Sequence, residues 1–487
     1  MLNSSEEESP SPKPNLTEPE YSGSRDSVET LGETGRPATF AASSEVIEHE
    51  LGAAAPAKHD PYLAFRSRDY TLYTMGSLVS NVGNQMQNVA VAWEIYDRVS
   101  RVSGMQQGAW ALGLVGLIQA LPVILLALPA GHMADRFSRK NIMLLAQAVL
   151  LLCWAGMAYL SFTHGPLEWL YLLLLFDGLA NAMANPSRTA MVPQLVPPEA
   201  IASASTWNSA RWQTSAMLGP ALGGAAIAYF GRSFEVYIIS IISSIIFIFF
   251  VLPIRPRAHE RSNEPVSLQT LLGGASFVWS TPIILATVTL DMFAVLLGGA
   301  VALLPLYAKD ILQVGAHGYG WLMASPAIGS VVTAFVMAHL PPFPRAGRVM
   351  LWAVAGFGLA TIVFGISQNF YLSFAALVVT GACDSISVIV RHTLVQVLTP
   401  DHLRGRVSAI NSVFIGVSNE IGSFESGAAA RLLGPVRAVV FGGIGTVLVV
   451  MGVASKWPVI KNIGSLQDVA REFAARGEKP DDKPLEK

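Results

Sequence analysis

Six ionisable residues lie inside long apolar stretches of this 487-residue sequence. They are Asp177, Arg211, Asp291, Asp384, Glu420 and Glu425. A charge that faces lipid at mid-depth costs at least about 2.5–3.5 kcal/mol, so these residues are expected to face a water-filled interior. Each carboxyl group could bind a proton or a cationic group of a ligand, and an internal ion pair or hydrogen bond is an open alternative for each. The pattern indicates ligand or ion binding.

Uncharged polar residues predict a second part of the same interior. Asn81, Gln85 and Asn88 are spaced i, i+4 and i+7 and therefore share one face of a helix, as the wall of a polar cavity requires. Among the tryptophans, Trp93, Trp207 and Trp212 could stack on a ligand, although tryptophans near helix ends more often serve as interfacial anchors.

The composition predicts the elements that must position these residues. Hydrophobic residues make up 52% of the chain and charged residues 14%, well below the quarter or so that is typical of soluble domains. We expect an all-α polytopic membrane protein, because a helix needs about 20 apolar residues to cross a bilayer. Twelve spans are predicted, near residues 70–96, 109–130, 141–162, 168–191, 202–230, 235–254, 283–308, 318–339, 348–367, 370–394, 405–432 and 437–455.

The chain also contains a tandem repeat. Residues 188–231 match residues 391–434 at 13 of 44 positions without a gap, at a constant offset of 203. The matches include Arg188 with Arg391 and Gly224 with Gly427. Two like halves in the same direction are typical of transporters that bind their substrate between the halves.

These features define the expected domains. Residues 1–62 form an acidic tail predicted to be disordered, 63–254 the first six-helix half and 282–456 the second. Residues 255–281 are the expected linker with an interfacial helix, and 457–487 a second tail. Both tails are placed in the cytoplasm because basic residues are then twelve inside against six outside. The inside set is Arg136, Arg139, Lys140, Arg188, Arg255, Arg257, Arg261, Arg345, Arg348, Arg391, Arg404 and Arg406, and the outside set Arg98, Arg101, Arg232, Lys309, Arg431 and Arg437.

Two motifs refine the prediction of a transporter with two like halves. The loop after the second span contains Gly131, Asp135, Arg136, Arg139 and Lys140, in which an acid can accept from a helix N-terminus and bases can pair with acids on neighbouring helices. A tight basic turn that only fixes topology is the alternative. The fifth span contains Gly219, Pro220, Gly223 and Gly224, where proline removes a backbone donor and the glycines allow close helix packing.

The loop motif resembles the G-x-x-x-D-R-x-G-R-[RK] signature of the major facilitator superfamily, with Ser138 in place of the second glycine. The fifth-span motif resembles the antiporter motif of exporters in that superfamily. Residues 185–195 and 404–407 are similar to the branch that includes the enterobactin exporter and related secretion permeases. The fourth span departs from drug/proton antiporters, because it has Asp177 instead of their buried arginine.

The resemblance implies efflux of a small molecule, such as a siderophore or a drug-like compound, in exchange for protons across the cell membrane. Of the carboxyl groups, Glu420 ranks first as the coupling group because it lies near mid-depth on the repeat partner of the fifth span. An uncoupled carrier or a carrier of lipid-like metabolites is the main alternative, and a polytopic enzyme is disfavoured because the histidines are scattered. No nucleotide-binding P-loop motif, metal site, cofactor or nucleic-acid surface is expected, and the chain could act as a monomer.

Overall fold

The computed structural model describes residues 60–257, 275–341 and 343–465. Within these ranges the chain forms twelve long helices, which we number α1 to α12. The helices of the first half are Arg68–Ser103, Met105–Arg136, Arg139–Thr163, Leu167–Leu195, Ile201–Phe230 and Phe234–Val251. Those of the second half are Pro282–Leu297, Gly315–His339, Ala346–Ile366, Phe370–Leu398, Asp401–Leu433 and Pro435–Lys456. Of the interfacial helix expected at residues 267–279, only residues 275–279 lie within the described part, and they are helical.

The tandem repeat extends over the helix boundaries. Helix α4 (Leu167–Leu195) and helix α10 (Phe370–Leu398) begin and end 203 residues apart. The last residues of α2 and α8, of α3 and α9, and of α5 and α11 are separated by the same 203 residues. The two halves therefore have the same helical plan, and a residue in one half has a defined equivalent in the other.

Nine membrane-crossing candidates are found among the described residues by length and apolar composition. Helices α1, α5 and α11 are not among them, although each has at least 30 residues. The acids Asp177, Asp291 and Asp384 lie on α4, α7 and α10, whereas α1, α5 and α11 carry the other six polar candidates of the sequence analysis. Their low apolar content fits an interior position, because a polar side chain in hydrocarbon is costly unless it faces protein or water.

Helix packing agrees with an interior position for α1, α5 and α11. In the first half, α1 packs against α5 and α6, and α3 packs against α4 and α6. In the second, α9 packs against α10 and α12. Across the halves, α2 packs against α11 and α5 against α8. Helices α3, α6, α9 and α12 have their main packing partners within their own half.

The seventh span departs from a regular helix. Helix α7 ends at Leu297, and a 3-10 turn (Ala300–Leu303), a short α-helical segment (Leu304–Leu306) and a π-helical turn (Tyr307–Ile311) complete the span. Gly299 at the break lies against Gly422 of α11, where an added Cβ would come within 2.7 Å of the Gly422 carbonyl oxygen. Irregular backbone at membrane depth is tolerated where it is buried in protein or lines a cavity, and this segment does both.

The helices alternate in direction, so the bundle has two ends. One end carries the turns at Gly104, Gly231 and Gly434, where a positive φ of 77–85° favours glycine. We call it the Gly104 end. The Ser138 end carries the turn between α2 and α3 at Ser138 and the first described residues of the chain.

Candidate functional site

A cavity of about 620 Å³ lies between the two halves. This volume falls within the range of sites that hold drug-sized ligands. Residues from α1, α2, α4 and α5 line one wall, and residues from α7 to α11 line the other. The site therefore occupies the position that the tandem repeat predicts.

The two walls differ in chemistry. The wall from the first half presents the amides Gln85, Asn88, Gln119 and Gln213 together with Trp212. The wall from the second half presents the carboxyl groups of Asp384 and Glu420, next to Asn419 and Ser423, with Tyr319 and Phe357 as the aromatic surface. Such a site offers many hydrogen-bond partners and a negative charge on one side only.

The repeated glycines place the halves in contact at the Gly104 end. A Cβ on Gly224 of α5 would lie 2.5 Å from the Ala316 carbonyl oxygen of α8. In the second half, a Cβ on Gly427 of α11 would lie 2.7 Å from the Ala109 carbonyl oxygen of α2. The repeated glycine therefore forms both backbone crossings between the halves, because only a residue without a Cβ allows this approach. Gly219 and Gly223 of the same motif pack instead against α1.

Adding a methyl group at these crossings is expected to weaken the closed Gly104 end. In Gly224→Ala and Gly427→Ala, overpacking costs about 1–3 kcal/mol, which shifts the balance toward a form open at this end by about 5- to 150-fold. The measurement is the labelling rate of a single cysteine at Ser423 by an impermeant maleimide added from the Gly104 side, with Cys153 and Cys383 replaced by serine. Gly452→Ala is the control, because its Cβ would meet no atom within 4 Å. Equal rates in all variants would contradict the crossing role.

Charged residues also join the halves at the Gly104 end. Lys309 Nζ lies 2.7 Å from Asp97 Oδ1 and 3.0 Å from Ser100 Oγ of α1. The hydroxyl of Tyr96 donates to Asp310. We call these four residues, Tyr96, Asp97, Lys309 and Asp310, the polar latch. Next to it, Trp93 stacks on Tyr319 with ring centroids 5.7 Å apart.

The close backbone contacts between α2 and α11 are found at glycines toward the Gly104 end. On α2 and α11, an added Cβ at Gly113, Gly116 or Gly427 would meet the opposite helix. At Gly131 of α2 and Gly405 of α11, near the Ser138 end, an added Cβ would meet nothing within 4 Å. Trp212 in the cavity wall is 58% exposed. The cavity is therefore closed at the Gly104 end, where the backbones of the two halves are in contact.

A buried ion pair lies behind the second wall. Arg391 of α10, only 2% exposed, pairs with Asp291 of α7, which is 8% exposed. The count of inside basic residues had assigned Arg391 and its repeat partner Arg188 to loops, and that assignment is wrong, because the two residues lie inside α10 and α4. Asp291 and Asp384 line one narrow side pocket, and Asp384 also lines the main cavity. Asp384 thus connects the ion pair with the cavity.

Other sequence candidates lie away from the cavity wall. Asp177 is buried and accepts hydrogen bonds from Trp154 Nε1 at 2.8 Å and Asn181 Nδ2 at 3.1 Å. Arg211 contacts Asn208 and the ring face of Tyr73. The remaining two, Asn81 and Glu425, are partly buried on α1 and α11, outside the residues that line the cavity.

The loop motif holds the Ser138 end of the first half together. Arg139 donates to the Ala190 carbonyl of α4 at 2.8 Å. Lys140 donates to the carbonyls of Leu252 and Ile254, at 2.6 and 2.8 Å, just after α6. Cations are favourable at a helix C-terminus, so Lys140 stabilises the end of α6. Arg136 is exposed, and the side chain of Asp135 lies outside the described side chains.

Sequence reasoning missed several site residues. Gln119 and Gln213 are single amides in apolar helices, and Asn419 stands beside the more conspicuous Glu420. The polar latch was missed because Asp97 and Lys309 are 212 residues apart. The signal available was the presence of opposite charges at the Gly104 ends of α1 and the seventh span.

Two like six-helix halves around a central cavity define a transporter of the major facilitator fold. Solved structures agree on the fold. A bacterial homologue of the human lysosomal transporter Spinster, inward-facing and unoccupied, has a TM-score of 0.60 at 13% identity over 85% of this chain and 99% of its own. An inward-facing bacterial homologue of the iron transporter ferroportin has a TM-score of 0.59 at 16% identity over 80% and 99%.

Sequence comparison identifies the family. Residues 60–473 match the family model of transmembrane secretion effectors, and the chain belongs to this family of the major facilitator superfamily. The enterobactin exporter EntS of Escherichia coli O1:K1 / APEC is 24% identical over 72% of this chain and 84% of that protein. The Citrobacter koseri exporter of the same name is 26% identical over the same shares. The chain is therefore a membrane transporter related to exporters, and not an enzyme.

Proposed function

We propose that this protein is a secondary active transporter that exports a small molecule in exchange for protons by alternating access. The observation that carries the proposal is the cavity between two like halves, closed at the Gly104 end, with carboxyl groups in one wall. Rocking of one half against the other would close the Ser138 end and open the Gly104 end. The similarity to enterobactin exporters supports the direction of transport, and a siderophore or a drug-like compound is the proposed substrate.

The orientation belongs to the same proposal. With both termini in the cytoplasm, the Ser138 end faces the cytoplasm and the cavity loads from inside the cell. Moving Arg188 and Arg391 from the inside loops into α4 and α10 leaves ten inside basic residues against six outside, so the excess remains. The protein would work in the cell membrane among lipids, without a cofactor and as a monomer. An uncoupled carrier, or one for lipid-like metabolites, is the alternative that the coupling experiment below separates.

The repeat favours one group for coupling. At the offset of 203, Asp291 and Asp384 of the second half correspond to Asn88 and Asn181 of the first, and Arg391 corresponds to Arg188. Arg188 donates to Asn181 Oδ1 at 3.3 Å. The equivalent contact, from Arg391 to Asp384, would compete with the pair that Arg391 forms with Asp291.

This competition supplies a proton switch. When Arg391 pairs with one carboxylate, the other is left without a cation and takes the proton, because an unpaired charge in the interior is costly. Only the second half has both carboxyl groups, so we place the switch there. We therefore rank Asp384 before Glu420 as the coupling group. The equivalent of Asp384 in the first half, Asn181, contacts an arginine, whereas the equivalent of Glu420 is the apolar Met217.

Transport by single variants in proteoliposomes tests the function. Five variants, Asp177→Asn, Asp291→Asn, Asp384→Asn, Glu420→Gln and Glu425→Gln, are assayed with and without an imposed pH gradient. The parent should accumulate substrate against its gradient, and at least one variant should lose only the gradient-driven component. If all five retain gradient-driven transport, proton antiport through these groups is excluded and another coupling is the better explanation.

The loop motif carries a separate prediction. We propose that Asp135 and the bases around it hold the cytoplasmic side closed by engaging the N-terminus of α11. Asp135→Asn should leave the protein in the membrane but slow export by at least about tenfold, if the contact is worth the roughly 1.5–3 kcal/mol of a charge-assisted hydrogen bond. The measurement is the initial export rate in proteoliposomes. Glu199→Gln, an exposed acid at the same end, is the control. A parental rate in Asp135→Asn would contradict the gate role.

A further inference from the structure

The charge of the cavity wall is negative on balance. Among the described lining residues, Asp384 and Glu420 are the ionisable acids, and no lysine, arginine or histidine lines the cavity. The nearby guanidinium groups are engaged elsewhere, since Arg391 pairs with Asp291, and Arg211 contacts Asn208 and Tyr73. An anionic ligand would lose its hydration without meeting a cation in this wall, which is unfavourable in a low-dielectric site.

Glu420 lies at the boundary between the two halves, where a ligand in the cavity can contact it. It lies where α11 crosses α2, and an added Cβ on Gly116 of α2 would come within 2.7 Å of the Glu420 carbonyl oxygen. Asn419 and Ser423 stand beside it in the wall. Asp384, by contrast, lies at the entrance of the side pocket that also contains Asp291. The two acids therefore have different neighbours, and Glu420 faces the shared space.

The rest of the wall suits a cation with an aromatic or apolar body. Trp212 and Phe357 offer ring faces, and an aromatic face attracts a nearby cation by about 0.5–2 kcal/mol. Opposite Glu420, the amides of the first half can donate to or accept from polar groups of the ligand. A charge-free hydrogen-bonding ligand could use the amides alone but would leave Glu420 without a partner.

We propose that the exported substrate is an organic cation of drug-like size, whose amine or quaternary ammonium group lies against Glu420 while its body rests on Trp212 and Phe357. This inference rests on the proposed export function and narrows its substrate class. Polyanionic compounds are excluded from the cavity. Because Glu420 holds the cation and Asp384 the exchanged proton, the two acids have separable roles.

A pair of ions with nearly the same shape and opposite charge tests the charge preference. Tetraphenylphosphonium and tetraphenylborate are measured by equilibrium dialysis against the full chain in zwitterionic nanodiscs, with binding to empty nanodiscs subtracted. We expect saturable binding of the cation alone. Glu420→Gln should weaken its affinity at least tenfold, and Asp384→Asn by less than about threefold. Glu425→Gln is the matched control on the same helix, outside the cavity wall, and should bind like the parent.

The outcomes separate this inference from the function on which it rests. Saturable binding of tetraphenylborate, or parental affinity in Glu420→Gln, would overturn the inference. Equal losses in Glu420→Gln and Glu425→Gln would do so as well, because the effect would then not come from the cavity wall. Equilibrium binding requires neither a gradient nor turnover. If the cation binds as expected but no transport occurs in proteoliposomes, the export function fails and the charge preference of the cavity remains.

Discussion

The Asp384→Asn variant is expected to lose export driven by a pH gradient and to keep exchange of substrate for substrate across the membrane. The variant gives α10 the residue that α4 has at the equivalent position, Asn181. An amide can accept from Arg391 but cannot take up or release a proton. The empty carrier can then no longer return in a proton-dependent step, whereas the loaded carrier can still move. The measurement compares both transport modes in the same proteoliposomes, and the gradient-driven rate should fall to background.

The control for this prediction is Asn181→Ala on the repeat partner α4. Asn181 is the equivalent of Asp384 in the first half, and this half has amides at both repeat positions that carry carboxyl groups in the second half. Gradient-driven export should therefore persist in Asn181→Ala. Loss of both modes in Asp384→Asn would instead place Asp384 in substrate binding. Full retention of gradient-driven export would remove it from coupling.

The largest loss of stability is expected from Arg391→Met. The substitution leaves Asp291, 8% exposed, without its cation, and breaking a buried ion pair costs about 3–5 kcal/mol. The double variant with Asp291→Asn removes the uncompensated charge and should recover most of that loss. It should still fail to couple transport to a proton gradient, because the exchange of partners is gone. Thermal unfolding of the purified proteins in detergent measures the stability of all three.

Arg188→Met provides the matched control in the first half. Arg188 donates to amide oxygens, Asn181 Oδ1 at 3.3 Å and Gln147 Oε1 at 3.4 Å, and it interacts with the carboxyl group of Asp177 without a direct ion pair, so its removal breaks no such pair. Its destabilisation should be less than half that of Arg391→Met. If the two variants lose the same stability, or if the double variant is no more stable than Arg391→Met alone, the ion pair is not the cause.

The helical plan was predictable from the sequence because it depends on local properties. Apolar length and the repeat located all twelve long helices of the described residues, and the repeated Gly224 and Gly427 pointed to close packing. Of the three residues on the predicted polar face, Gln85 and Asn88 line the cavity and Asn81 does not. These features follow from helix geometry, which a periodic pattern records directly.

The pairing of charges was not predictable, because it depends on contacts between distant helices. The sequence left the partner of each carboxyl group open, and the structure pairs Arg391 with Asp291, a hundred residues earlier in the chain. Arg391 lies three residues before the predicted end of the tenth span at 394, so the count of basic residues assigned it to the adjoining loop, whereas α10 continues to Leu398. The break in the seventh span was also unforeseen, since Gly298 and Gly299 alone do not show which neighbour approaches.

Alternating access is the central claim, and locking the Gly104 end tests it most directly. Asp97→Cys and Lys309→Cys in a background without other cysteines are joined by a short reducible bis-methanethiosulfonate linker, replacing the contact between Asp97 and Lys309. Substrate should still reach the cavity from the Ser138 side, while transport stops and returns when the linker is reduced. Undiminished transport by the fully linked protein would show that the Gly104 end need not open, and would contradict alternating access.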